Sequence, residues 1–207
     1  MKLLCLEAIS GSDGGLKAEF SDDSSLILSA HYLPKELDPL LCEAGKELSS
    51  WEEDAINFAS LCYPAESAAL RLIARAEQNS LNLTRKLISR GHNSRVAKAV
   101  ITSLLERGFL DNKRYAELWI RSRISVHKSR GSKAVSPRQL LISLESRGIS
   151  LKTAKAALWE VLDSETEYAL LLQFIEKNNQ EKKGFSLKAL LKYEGFSPET
   201  LEKFFDE

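Results

Sequence analysis

The feature that most constrains this chain is a glycine that returns three times in the same setting. Gly91, Gly148 and Gly195 superpose at offsets of 57 and 47 residues. Upstream of each, at one fixed offset, stands a leucine: Leu87, Leu144 and Leu191. Directly downstream come His92-Asn93, Ile149-Ser150 and Phe196-Ser197. Three further columns coincide: Val96, Thr153 and Thr200; Ala97, Ala154 and Leu201; Val100, Ala157 and Phe204. A leucine on a last helical turn, a glycine free to take positive φ, then an Asn or Ser able to cap the next helix, reads as helix, tight turn, helix. In the second and third copies Ile149 and Phe196 stand opposite Ala154 and Leu201 at hydrophobic-staple spacing. A longer helix precedes each pair, over roughly 66–78, 112–126 and 165–178. The spacing therefore predicts three three-helix repeats, 65–110, 111–162 and 163–207. Such units bury a shared core by stacking, which predicts an elongated body. Ser136-Pro137…Gln139 and Ser164…Glu167 are further helix-start signals.

Residues 1–64 are of another kind. Short apolar runs around Leu3–Ile9, Leu16–Phe20 and Leu26–Leu28 are separated by Gly/Asp/Ser clusters, the pattern of a small β-meander. Three strands alone are marginal, so this module is expected to pack on helices. Pro34 opens a short helix to about Cys42, closed by Gly45. Ser50 and Glu53 have capping-box spacing for another helix reaching about Leu61. The fold class is thus mainly α: tandem three-helix repeats preceded by a small N-terminal β-meander with short helices. Trp51, Trp119 and Trp159 fall in apolar columns and are expected in the core.

The chain has 29 basic and 29 acidic side chains. They are segregated. Residues 1–65 carry a net −8, residues 66–160 a net +12, and residues 161–207 a net −4. Two readings fit this charge alone: the acidic ends neutralise the basic middle, or the middle meets a polyanion. The densest stretch holds Lys113, Arg114, Arg121, Arg123, Lys128, Arg130, Lys133 and Arg138, with Glu117 as its one acid. Arg114, Arg121 and Lys128 are seven apart and share a helix face if the helix reaches Lys128. Arg121 and Arg123 flank the buried stripe. Arg85, Lys86, Arg90, Arg95 and Lys98 form a second cluster, and Arg147 joins the candidates. Arginine forks suit phosphate, and such a surface binds with steep salt dependence. Few aromatics look exposed among these charges, so base stacking is not indicated. Sequence-specific readout is not indicated either. The segment from Ser129 to Ser136 reads either as a loop that orders on binding or as a plain linker.

No enzymatic constellation is present. His31, His92 and His127 are far apart and no Cys or His pair has ligand spacing. Cys62 lies between Leu61 and Tyr63 and reads as a small buried hydrophobe. Gly11-Ser12-Asp13-Gly14-Gly15 lacks the lysine and long helix of a P-loop and reads as a hairpin turn. The expectations are no catalysis, no metal and no cofactor. The apolar runs are too short for a membrane span, Glu7 interrupts any secretory core, and Cys5, Cys42 and Cys62 make no disulfide framework. The chain is expected to be cytoplasmic and monomeric.

The chain also resembles the RecX family of recombination regulators. The resemblance rests on Ala74-Arg75-Ala76-Glu77, on Leu83-Thr84-Arg85-Lys86-Leu87 with Gly91, and above all on the stretch from Leu105 to Ala116. The last is similar to the family pattern G-[YF]-[LI]-[DN]-D-x-R-[YF]-A, here Gly108-Phe109-Leu110-Asp111-Asn112-Lys113-Arg114-Tyr115-Ala116 and followed by Arg121-Ser122-Arg123. Leu140 to Leu144 with Arg147-Gly148-Ile149 is similar to a second family segment. Asn112 replaces a usual Asp, the Leu140 segment lacks the family's acids, and the link from Lys128 to Pro137 is expanded. The resemblance implies a non-catalytic regulator of recombination, DNA repair and the SOS response. It would bind RecA filaments and DNA without sequence specificity and inhibit filament growth. A stand-alone nucleic-acid-binding protein with helix-turn-helix-like units, or a scaffold for an acidic protein, would explain the basic stretch equally well. Neither requires the Gly108–Ala116 stretch.

Overall fold

The computed structural model describes residues 2–11, 13–37, 45–127, 135–177 and 186–206. The chain divides into two compact units, 1–110 and 111–207.

The first unit opens with β1 (Lys2–Ala8), β2 (Gly15–Phe20) and β3 (Ser25–Ser29), the expected meander. A two-residue β4 (Lys46–Glu47) adds an edge, so the antiparallel sheet has the order β3-β2-β1-β4. Alternation along β2 sends Leu16, Ala18 and Phe20 inward with Leu3 and Leu28, while Lys17 pairs with Glu19 at 2.6 Å on the outer side. Of the helix expected from Pro34 to about Cys42, Lys35–Leu37 form a 3₁₀ turn, and residues 38–44, Cys42 among them, lie outside those described.

Helix α1 (Ser50–Arg75) departs from expectation. A stop near Leu61 was expected, but the helix runs through Pro64. An interior proline removes one backbone bond and costs about 3 kcal/mol. Burial on both sides of Pro64 outweighs that cost. Ile56 and Ala59 pack on the sheet, while Cys62, Ala65 and Ala69 pack with Leu83, Leu87, Val100 and Leu104. Each large apolar side chain so buried contributes about 1.5–3 kcal/mol. The start also differs by one residue. The Glu52 carboxylate, not that of Glu53, reaches back to accept from the Ser49 N–H at 2.8 Å and from the Ser49 Oγ at 2.7 Å. Helices α2 (Ser80–Ser89) and α3 (Ser94–Glu106) complete the unit.

The second unit holds α4 (Asn112–His127), α5 (Pro137–Glu145), α6 (Leu151–Val161), α7 (Ser164–Lys177), α8 (Leu187–Tyr193) and α9 (Pro198–Asp206). One continuous core joins Ala116, Ile120, Leu140, Leu144, Ala157 and Leu158 to Leu170, Leu171, Phe174, Leu191 and Leu201. The repeated glycine behaves alike wherever it occurs. Its φ is +91° at Gly91, +78° at Gly148 and +86° at Gly195. The carbonyls of the aligned Leu87, Leu144 and Leu191 accept the N–H of His92 at 3.2 Å, Ile149 at 3.1 Å and Phe196 at 3.3 Å. Those are the closing bonds of a Schellman turn. The caps follow: Asn93 Oδ1 accepts from Arg95 N at 2.7 Å, Ser150 Oγ from Thr153 N at 3.2 Å, and Ser197 Oγ from Thr200 N at 3.2 Å. Ile149, Ala154, Phe196 and Leu201 are buried in the same core, as the staple spacing predicts.

Candidate nucleic-acid interface

The basic side chains sit on helices whose opposite faces are core, so burial of the apolar stripe dictates where the charges go. In α4 the buried stripe is Ala116, Ile120 and Ile124. At 100° per residue this leaves Arg114 and Arg121 together on one exposed flank and Arg123 on the other. Arg114 and Arg121 are about 10 Å apart along the axis, from the 1.5 Å helical rise.

The candidates are not equivalent. Lys113 lies 3.4 Å from Glu117 and 3.6 Å from Glu160. Its hydrogen bond to Glu117, then the charge of Glu160, hold it above the usual lysine range, so it is already engaged within the unit. Arg123 and Arg147 converge on one ring: their guanidinium carbons lie 5.2 Å and 4.7 Å from the centroid of Trp119. Arg147 also donates to the Ser143 carbonyl at 2.8 Å. Arg138 stacks on Tyr193 at 4.2 Å, and its backbone N–H donates to the Glu194 carbonyl at 2.9 Å. Lys128, Arg130 and Lys133 lie outside the described residues, as does most of the Ser129–Ser136 segment.

In the first unit Arg85, Lys86 and Arg90 are exposed on α2 and its C-cap. Lys86 donates to Gln78 Oε1 at 2.8 Å. Arg90 turns toward α1, where it lines a groove of about 320 Å³ with Arg71, Arg75, Ala68 and Leu72. Arg95 lies over the Phe58 ring at 4.9 Å. Arg71 and Arg75 were missed as candidates, although their i, i+4 spacing puts both on the polar side of α1.

The tryptophan expectation fails for two of three. Trp51 is 52% and Trp159 is 50% exposed. Trp159 is 140° from Ala154 and 200° from Ala157 around α6, which turns it away from the core that both alanines enter. The surface is therefore richer in aromatics than its charge pattern suggested, with Tyr193 and Phe109 also exposed. The readings of Cys62 and of the glycine-rich turn hold. Cys62 is fully buried, and burial pushes its thiol up to about 12. Gly11, Asp13 and Gly14 lie in the β1–β2 turn, and Gly15 opens β2. Among the described residues no group of His, Cys, Asp or Glu could hold a metal, and no helix is long and apolar enough to cross a membrane.

The burial of three carboxylates was not indicated by the sequence. Glu66 accepts from Ser29 Oγ at 3.1 Å and pairs with Arg107. Arg107 also approaches Asp13 at 3.6 Å. Glu194 accepts from the α5 cap, Ser136 Oγ, at 2.6 Å. Glu167 was expected to mark the start of its own helix. That start is instead capped by Asp163, which accepts from Thr166 N at 2.7 Å, and Glu167 serves α9.

No family model matches the chain. A regulatory protein RecX of Treponema pallidum (strain Nichols) is 35% identical over 150 residues, 72% of this chain and 88% of that protein. The chain belongs to the RecX family. A regulatory protein RecX of Halorhodospira halophila is 39% identical over 83 residues, 40% of this chain and 47% of that protein. A crystal structure of regulatory protein RecX superposes with a TM-score of 0.62 at 19% identity, covering 100% of this chain and 99% of that one. The RecX of Lactobacillus salivarius gives 0.50 at 19% identity, over 72% of this chain and 96% of that one. At that identity these two speak for the fold, which is mainly helical.

The stretch that carries the RecX resemblance does structural work here. Gly108 takes φ +75° at the end of α3, and the Leu110 N–H donates to the Leu104 carbonyl at 3.1 Å. Asp111 Oδ1 accepts from Lys113 N at 2.7 Å and Arg114 N at 3.1 Å, capping α4. Ala116 is fully buried. The RecX pattern thus encodes a helix end followed by a helix start, and Arg114 is its outward-facing cation.

Proposed function

We propose that this RecX-family chain is a non-catalytic regulator of homologous recombination and DNA repair. It binds the filament that the RecA recombinase forms on DNA, meets DNA phosphate without sequence specificity, and inhibits filament growth and the activities that depend on it. It works in the cytoplasm as a monomer, without a cofactor, through an acidic module (1–64) and three helical repeats (65–110, 111–162 and 163–207). The observation that carries this reading is the exposed cation row of α4, Arg114 and Arg121 with Arg123 on the opposite flank, in a chain of this family. Exposed guanidinium groups donate two bonds to one phosphate and release counterions on binding. Their fixed places on a helix give register along a backbone rather than base readout.

The test is the double variant R121E/R123E, assayed for binding to DNA and to RecA filaments. The expected result is weakened binding to both with unchanged helicity, since both side chains leave the core intact. Unchanged binding contradicts the reading, and so does loss of helicity, which makes these residues structural.

A further inference from the structure

We infer that Arg71, Arg75 and Arg90 form an oxyanion site on the first unit that seats a phosphate of a nucleic-acid strand. The site uses none of the cations of α4. It rests on the proposed function for its ligand, but on its own residues for its geometry. Arg71 and Arg75 are one turn apart on α1, and Arg90 is the C-cap of α2. The three line one groove of about 320 Å³ together with Ala68 and Leu72. Arg71 Nε donates to the Ser67 carbonyl of its own helix at 3.1 Å, which fixes the guanidinium and leaves both Nη groups as donors.

Among the described residues no ion pair involves any of the three. The two helix C-termini favour a cation at Arg75 and at Arg90. They do not account for Arg71, a full turn earlier. Like charges at i, i+4 repel. A third arginine brought to the same groove adds to that repulsion, which an anion between them would relieve. The chemistry asked of the ligand is a tetrahedral oxyanion that accepts several N–H bonds at once. An open groove with Ala68 and Leu72 beside the cations suits a phosphodiester with its sugar better than a bare ion.

The test uses the full chain and a labelled oligodeoxythymidylate, without RecA, at several KCl concentrations. R71Q/R75Q, and separately R90Q on the other helix, are each expected to bind about tenfold more weakly. Each should also lose about 0.7 from the logarithmic salt slope, the value of one single-strand phosphate. All three positions are exposed, so far-UV circular dichroism should not change. R121Q/R123Q serves as the control. If it weakens binding while R71Q/R75Q and R90Q do not, the site falls and the α4 reading stands. If R71Q/R75Q and R90Q weaken binding and R121Q/R123Q does not, the site stands and the α4 reading falls. Inorganic phosphate supplies the other arm. If it shifts the Nε–H resonances of these arginines while their substitution leaves oligonucleotide binding intact, the ligand is a free anion and the nucleic-acid assignment is overturned.

Discussion

Replacing Glu167 by alanine should destabilise the second unit by about 3 kcal/mol. The carboxylate is only 3% exposed. Its Oε1 accepts the Ser197 backbone N–H at 2.7 Å, and its Oε2 accepts the hydroxyls of Ser197 at 2.6 Å and Thr200 at 2.7 Å. A hydrogen bond to a charged group contributes about 1.5–3 kcal/mol, so three contribute at least ~4.5 kcal/mol in gross terms. Holding a carboxylate out of water takes back part of this. Truncation then adds the cost of a cavity and of leaving the Ser197 N–H and the Thr200 hydroxyl unpaired. The net lands near 3 kcal/mol, a shift of roughly 12–24 °C in Tm for a unit of this size. W51F leaves Trp119 and Trp159, both in the second unit, as fluorescence reporters for urea unfolding. E167A in that background should lower the midpoint without changing the slope, and E167Q should fall between it and the parent. A loss under 0.5 kcal/mol for E167A would refute the argument that Glu167 anchors α9.

Gly148 sits at φ +78°, where an L side chain costs roughly 1–2 kcal/mol; G148A should lose about that much in urea unfolding, and G148V more because of its β-branch. Cys62 should resist iodoacetamide in the native protein and react once the chain is unfolded, as peptide mapping can show, because its thiol is buried and shifted up to about 12. The sign of the linked pH effect follows from that shift. The unfolded chain releases the thiol proton from about pH 8.5, whereas the folded one keeps it, so stability should fall as pH rises above that value. C62A should remove this part of the slope.

The repeat was legible because a Schellman turn needs specific residues at fixed offsets. Leu144, Gly148, Ser150 and Ala154 each have one role that few other residues fill, so four columns sufficed to place two helices. The run of α1 through Pro64 was not legible. Local propensity says stop at a proline, and only the sheet on one side and α2 with α3 on the other hold the helix together. Trp159 was misplaced because its hydrophobicity was read without its angle from Ala154 and Ala157. The buried carboxylates Glu66, Glu167 and Glu194 escaped for a different reason. Their partners Ser29, Ser197 and Ser136 lie 30 or more residues away in sequence, and no local pattern joins them. At the candidate site the cations of α4 were legible from charge density and from their helical spacing. Arg71 and Arg75 were not, because sequence does not reveal that Arg90 turns to meet them. Nor does it reveal that Lys113 is already committed to Glu117 and Glu160.

The central claim is that this chain restrains a RecA filament on DNA. The most direct measurement is DNA-dependent ATP hydrolysis by RecA as the protein is titrated in. Inhibition should set in at stoichiometries well below one chain per RecA protomer, and should be relieved by R121E/R123E. Hydrolysis that is unchanged, or that falls only when the added chain saturates the DNA, would contradict it.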